Sequence, residues 1–161
     1  MSSRACASRV VRATRGDLGR QPLEYWDGES WDPDPAAAIP VADDVTTMSF
    51  LVDGDGWTLV TQGPVYSREI TARRAPAPEG PWSEPTVIAR AVPPEGGYTY
   101  GASLHPELSG DRSNMLLSYS VNGWKEEDLL ARPDLYRPRF VRVAVTTPNL
   151  DAWYEPASST V

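Results

Sequence analysis

Short runs rich in β-branched and apolar residues recur along the chain, each closed by a turn signal, with no amphipathic stretch of helical length between them. This rhythm predicts strands over residues 8–14, 46–52, 57–62, 68–74, 86–90, 100–104, 114–121 and 139–146. In the last run Phe140, Arg142 and Ala144 share one face and Val141, Val143 and Val145 the other, as a period of two requires. Asp53, Gly54, Asp55 and Gly56 read as a tight hairpin turn, since glycine adopts positive φ without strain. They superficially resemble a calcium loop, but the further ligands and flanking helices of an EF-hand are missing. Helical signal is confined to one turn at residues 128–132, and Pro35 and Pro40 leave no room for a helix at residues 36–38. Without crossover helices the strands form antiparallel meanders, so the expected class is all-β: a sandwich, a barrel or a propeller. Residues 45–90 hold four consecutive strands, the content of one propeller blade.

Composition narrows the partners. Fifteen Lys and Arg against 22 Asp and Glu give a formal net charge of −7, which repels phosphate backbones and argues against nucleic acid. Arg137, Arg139 and Arg142 come nearest to a basic patch, but three arginines on one strand more often make a solvated edge. No run approaches the roughly 18 apolar residues of a membrane helix, so no membrane is expected as a partner. Cys6 is the only cysteine, which excludes an internal disulfide and a cysteine-based zinc site. The first dozen residues carry Arg4, Arg9 and Arg12 without an apolar core, unlike a signal peptide. The expectation is a cytoplasmic protein or one whose true start lies upstream, and the compartment stays open. Nucleotide-binding glycine loops, a Gly-x-Ser-x-Gly elbow and a His-Glu-x-x-His helix are all missing. Six Trp and seven Tyr against two Phe suit sheet faces and sugar-contacting surfaces alike.

The segment from Ser67 to Pro85 is the most informative, because a strand there runs into Gly80-Pro81-Trp82-Ser83-Glu84-Pro85. Gly80 permits the turn, Pro81 and Pro85 fix φ on either side, and Trp82 can fold over the sheet edge. This junction resembles the third-to-fourth-strand corner of five-bladed β-propeller glycoside hydrolases of the arabinanase and β-xylosidase type. Tyr98-Thr-Tyr-Gly-Ala-Ser-Leu-His105-Pro-Glu107, then Leu116 to Asn122, then Tyr136 to Val143, looks like the closing region of a bacterial propeller family related to endo-D-arabinanases. Glu24 to Trp31 resembles a hairpin of that family, and the likeness covers roughly residues 8 to 146. It implies a partial β-propeller of two to three four-stranded antiparallel blades, since one blade takes about 40 to 50 residues. Residues 1–161 would be one incomplete propeller domain, the C-terminal portion of a longer protein. Residues 45–90 would form a full blade, 98–146 the closing blade and 147–161 a tail.

The resemblance also implies a site. His105, the only histidine, falls on a candidate inner strand, where related hydrolases use a channel histidine near a metal ion or water under the sugar. No cofactor is expected otherwise. The competing reading is a histidine satisfied by backbone groups. Glu107 lies two residues on and is the candidate catalytic acid or base. Glycoside hydrolysis needs a second carboxylate about 5 to 10 Å away; Glu24, Asp43, Asp44 and Glu69 are open choices. Tyr100, Tyr119 and Asn122 could supply a sugar platform and hydrogen bonds, although Tyr119 also suits a core position and Asn122 a turn. Of Trp26, Trp31, Trp57 and Trp124, the last sits in a polar loop and is the best exposed candidate, whereas Trp57 suits packing between blades. The expected partner is a polysaccharide or oligosaccharide, and the parent would hydrolyse a furanoside-type polysaccharide. The alternatives are a non-catalytic carbohydrate-binding or scaffold module, or a degenerate fragment without independent function. Open sheet edges would favour self-association.

Overall fold

The computed structural model describes residues 7–13, 22–43, 45, 47–53, 56–64 and 66–145. Its strands are β1 (Ala7–Ser8), β2 (Val11–Arg12), β3 (Glu24–Trp26), β4 (Trp31–Asp32), β5 (Ala42–Asp43), β6 (Thr47–Asp53), β7 (Gly56–Gln62), β8 (Glu69–Ala75), β9 (Thr86–Arg90), β10 (Gly97–His105), β11 (Met115–Gly123) and β12 (Arg139–Val143), with one short helix, α1 (Glu126–Ala131). All pairings are antiparallel. The sheets are β6-β7-β8-β9, β10-β11-β12, β2-β3-β4 and the pair β1-β5. They do not close on one another, and the chain is all-β in a manner consistent with a partial propeller.

The strands follow from alternation. Along β11 buried and half-buried residues alternate without a break from Met115 to Gly123. Met115, Leu117, Tyr119 and Val121 thereby meet Val60, Ile70 and Ala72 of β7 and β8 in the main core. This is sheet-on-sheet packing, with β10 lying against β6 and β7. The opposite face of the β6-to-β9 sheet packs Leu59 against Ala42, Val45 and Trp82.

The corner at Gly80, Pro81 and Trp82 joins neighbouring strands of one sheet, since Ile70 pairs with Ala89 and Thr71 with Val87. Gly80 has φ +102°, and a Cβ there would come within 3.1 Å of the Trp82 backbone nitrogen. Ser83 closes the corner by donating its N–H to the Arg74 carbonyl at 2.8 Å and accepting the Arg74 N–H on Oγ at 3.0 Å.

The predicted strand at residues 8–14 is two strands in different sheets: β1 pairs with β5 and β2 with β3. Between them the Val10 carbonyl accepts from Trp26 N–H at 3.2 Å, so the chain changes partner within three residues. The hairpin tip at residues 54–55 lies outside the described residues, as do Thr14, Asp44, Thr146 and the tail. The sheet at residues 98–146 has three strands among the described residues.

Candidate functional site

Antiparallel meanders put alternate connections at the same end of neighbouring sheets. Here the β7-to-β8 connection, the start of β10, the end of β11 and the loop before β12 meet. They bring Tyr66, Tyr98, Tyr100, Trp124 and Tyr136 together. Tyr98 lies 4.4 Å from Trp124 and 4.6 Å from Tyr66, ring centre to ring centre, and Tyr66 lies 4.9 Å from Trp124. Tyr100 continues the row at 5.8 Å from Tyr98. Tyr66, Trp124 and Tyr136 are 49%, 59% and 63% exposed, so the cluster is a surface and not part of the core. Rings this close leave no slot for a ligand between them; a ligand must lie across their outer faces and edges.

Tyr98 and Tyr100 share a face because they stand two positions apart on the strand, and their partners across the ladder are Asn122 and Ser120. The Trp124 N–H donates to the Gly96 carbonyl at 3.3 Å, which continues the ladder past β11 and fixes the base of the indole. The Tyr100 hydroxyl is raised above its ordinary pKa, first by burial and then by its hydrogen bond with Tyr136; a bond with Ser120 opposes the shift. It therefore stays a neutral donor and acceptor. The surface thus joins an apolar aromatic area to a rim of hydroxyls.

The remaining candidates lie elsewhere. His105 is the last residue of β10, five residues and roughly 15 Å of strand from Tyr100. Its Nδ1 lies 3.2 Å from Glu107 Oε1 and its Nε2 lies 2.8 Å from Ser118 Oγ. Both ring nitrogens are engaged, so a ligand on either would displace a partner. The Glu107 side chain is 65% exposed. Tyr119 is a core residue, 5% exposed, and its hydroxyl accepts the Val92 N–H at 3.3 Å. Asn122 lies within β11 opposite Tyr98 and not in a turn, and its Oδ1 accepts from its neighbour's N–H, that of Gly123, at 2.8 Å. Trp26 and Trp31 pack on each other at 5.4 Å, and Trp57 meets Phe50 edge-on at 6.1 Å. Sequence reasoning thus singled out Tyr100 and Trp124, and it missed Tyr66, Tyr98 and Tyr136 as their companions. The spacing of Tyr98 and Tyr100 was the available signal; nothing local pointed to Tyr66.

Among the described residues no three His, Cys, Asp or Glu side chains gather as a metal ion would need, and no helix is long and apolar enough to cross a membrane. A groove of about 530 Å³ runs along the face of the β6-to-β9 sheet turned away from β10, lined by Val11, Trp31, Phe50, Trp57 and Trp82 among others. Its wall is mostly apolar and continuous with the Leu59 cluster, and the two arginines that line it are engaged, Arg9 with the Ala38 carbonyl at 3.1 Å and Arg12 with the Glu24 carboxylate at 2.7 Å.

The open antiparallel sheets define an all-β protein, consistent with a partial propeller, that carries an aromatic surface at one loop end. Residues 3–153 match the family described as Domain of unknown function (DUF5005), and the chain belongs to that family. Notoamide biosynthesis cluster protein J' of Aspergillus versicolor is 30% identical over 102 residues, which are 62% of this chain and 27% of that protein. The crystal structure of a Bacteroides ovatus ATCC 8483 protein, provisionally named a hydrolase, has a TM-score of 0.71 at 23% identity over 85% of this chain and 39% of that one. At that identity the likeness is one of fold. The chain spans well under half the length of either relative.

Proposed function

We propose that this chain is the glycan-contacting part of a hydrolase-like propeller, and that it binds a polysaccharide of furanoside type across Tyr66, Tyr98, Tyr100 and Trp124. The observation that carries the reading is the exposed aromatic row with hydroxyls at its rim. Sugars present an apolar C–H face and a polar edge, and this surface offers a complement to both. The provisional hydrolase name of the Bacteroides neighbour and the resemblance of the Gly-Pro-Trp corner to arabinanase-type propellers support the same reading. In the longer protein a pair of carboxylates would hydrolyse the bound glycan. Glu107 stands at the far end of β10 from the aromatic row, so binding is the role the geometry favours for this chain. The test is titration of the chain with a panel of neutral arabinan oligosaccharides, which are furanosides, read by tryptophan fluorescence and calorimetry. Saturable binding that Trp124→Ala weakens at least about tenfold supports the reading; no binding to any of the panel sinks it.

A further inference from the structure

We infer that buried Gln62 is the positioning residue of the aromatic surface, holding its two arms in register; the inference rests on the glycan-binding reading for its consequence, not for its geometry. One arm is the β7-to-β8 connection with Tyr66. The other is the start of β10 with Tyr98 and Tyr100. Gln62 ends β7 and is 1% exposed. Its Nε2 donates to the Ser67 carbonyl, next to Tyr66, and to Thr99 Oγ1 at 3.0 Å, between Tyr98 and Tyr100. Thr99 Oγ1 in turn donates to the same Ser67 carbonyl at 3.3 Å. The amide therefore touches the residue beside each ring it would place.

The third bond explains an irregularity in β10. The β10–β11 register slips between Tyr100 and Ser103, with Gly101 at φ +69°. The bulge releases the Ala102 N–H from the β11 ladder, and it donates to Gln62 Oε1 at 3.3 Å instead. Tyr66 has φ +68°, a left-handed conformation that a bulky residue holds only when its surroundings impose it. The Ser67 N–H to the Pro64 carbonyl, 2.7 Å, closes the turn from one side, and Gln62 holds Ser67 from the other. An apolar side chain would fill this space equally well. The donors and the acceptor are spent on fixing the two arms, which is what preorganisation of a binding surface requires.

The test compares Gln62→Met, Gln62→Glu and Thr99→Val with the wild-type chain by near-ultraviolet circular dichroism, thermal melting and oligosaccharide titration. Gln62→Met keeps the volume and removes every polar contact. Thr99→Val removes one partner with the least risk to folding. The coupled rings should lose much of their near-ultraviolet signal in both variants while the far-ultraviolet spectrum stays that of a β protein. Affinity should fall about tenfold, from the freedom returned to two or three rings. Gln62→Glu should regain signal as the pH is lowered, because only the protonated acid donates. A lower melting temperature with wild-type ring signal and affinity would show a purely structural amide and overturn the inference. Should the wild-type chain bind no saccharide, the functional reading fails alone, and the ring signal of Gln62→Met and Thr99→Val still decides the role of Gln62.

Discussion

Tyr100 on β10 and Tyr119 on β11, the neighbour of its ladder partner Ser120, carry opposite assignments, and single substitutions separate them. Tyr119 points into the core and its hydroxyl serves the Val92 N–H. Tyr119→Phe should cost about 1 kcal/mol in urea denaturation, because the amide loses its partner, and leave oligosaccharide affinity unchanged. Tyr100 faces the other way, toward Tyr136 and Ser120. Its folded-state pKa lies above the unfolded value, so the protonated hydroxyl is favoured by folding. That contribution is complete below the ordinary value of 10.0 and fades as the pH rises through the folded-state value. Melting temperatures measured between pH 9 and 11.5 should therefore fall less steeply for Tyr100→Phe than for the wild-type chain. Equal slopes would place the Tyr100 hydroxyl in bulk water.

At the scale of elements, the start of β10 is set by what Gly97 lacks. A Cβ on Gly97 would collide with the Asn122 carbonyl oxygen and come within 2.6 Å of Pro94 Cγ. Backbone cannot yield as a flexible side chain does, so Gly97→Ala should destabilise the chain by about 1 to 3 kcal/mol and weaken glycan binding, since Tyr98 moves with it. Denaturation and titration of the same preparation would read both. This stretch also marks what the sequence discloses. Alternation located the middles of β6 to β12, because burial on one face imposes a period of two. It placed β10 at residues 100–104, whereas the strand runs from Gly97, since two glycines and two tyrosines carry little apolar contrast. The two- and three-residue strands β1 to β5 are too short for any period to register. The helical turn at residues 128–132 begins two residues earlier, at Glu126, where Glu126, Glu127 and Asp128 suit a positive helix start. The aromatic row was half legible, as Tyr100 and Trp124. Its other members come from separate connections that only the sheet order brings together.

At the scale of the molecule the two large sheets are unequally covered. The β6-to-β9 sheet buries residues on both faces, Val60 and Ile70 on one and Leu59 on the other. The β10-to-β12 sheet buries only the face carrying Met115, Leu117 and Val121. On its other face Phe140 is 58% exposed beside half-buried Leu116 and Ser118. Among the described residues β12 is the last strand of this sheet; it carries Arg139 and Arg142, and charges on an edge strand discourage another strand from adding to it, while Arg142, on the Phe140 face, is held by the Asn114 carbonyl at 3.0 Å. Apolar cover is therefore easier to gain on the face than on the edge. Self-association of this chain should accordingly proceed face to face through Phe140. Sedimentation velocity across a hundredfold concentration range should show a reversible dimer that Phe140→Asp suppresses and added salt does not. Removing the edge charges with Arg139→Ser and Arg142→Ser should leave that dimer in place. If the arginine variant alone changes the association, the edge governs assembly, and the apolar face contributes nothing to it.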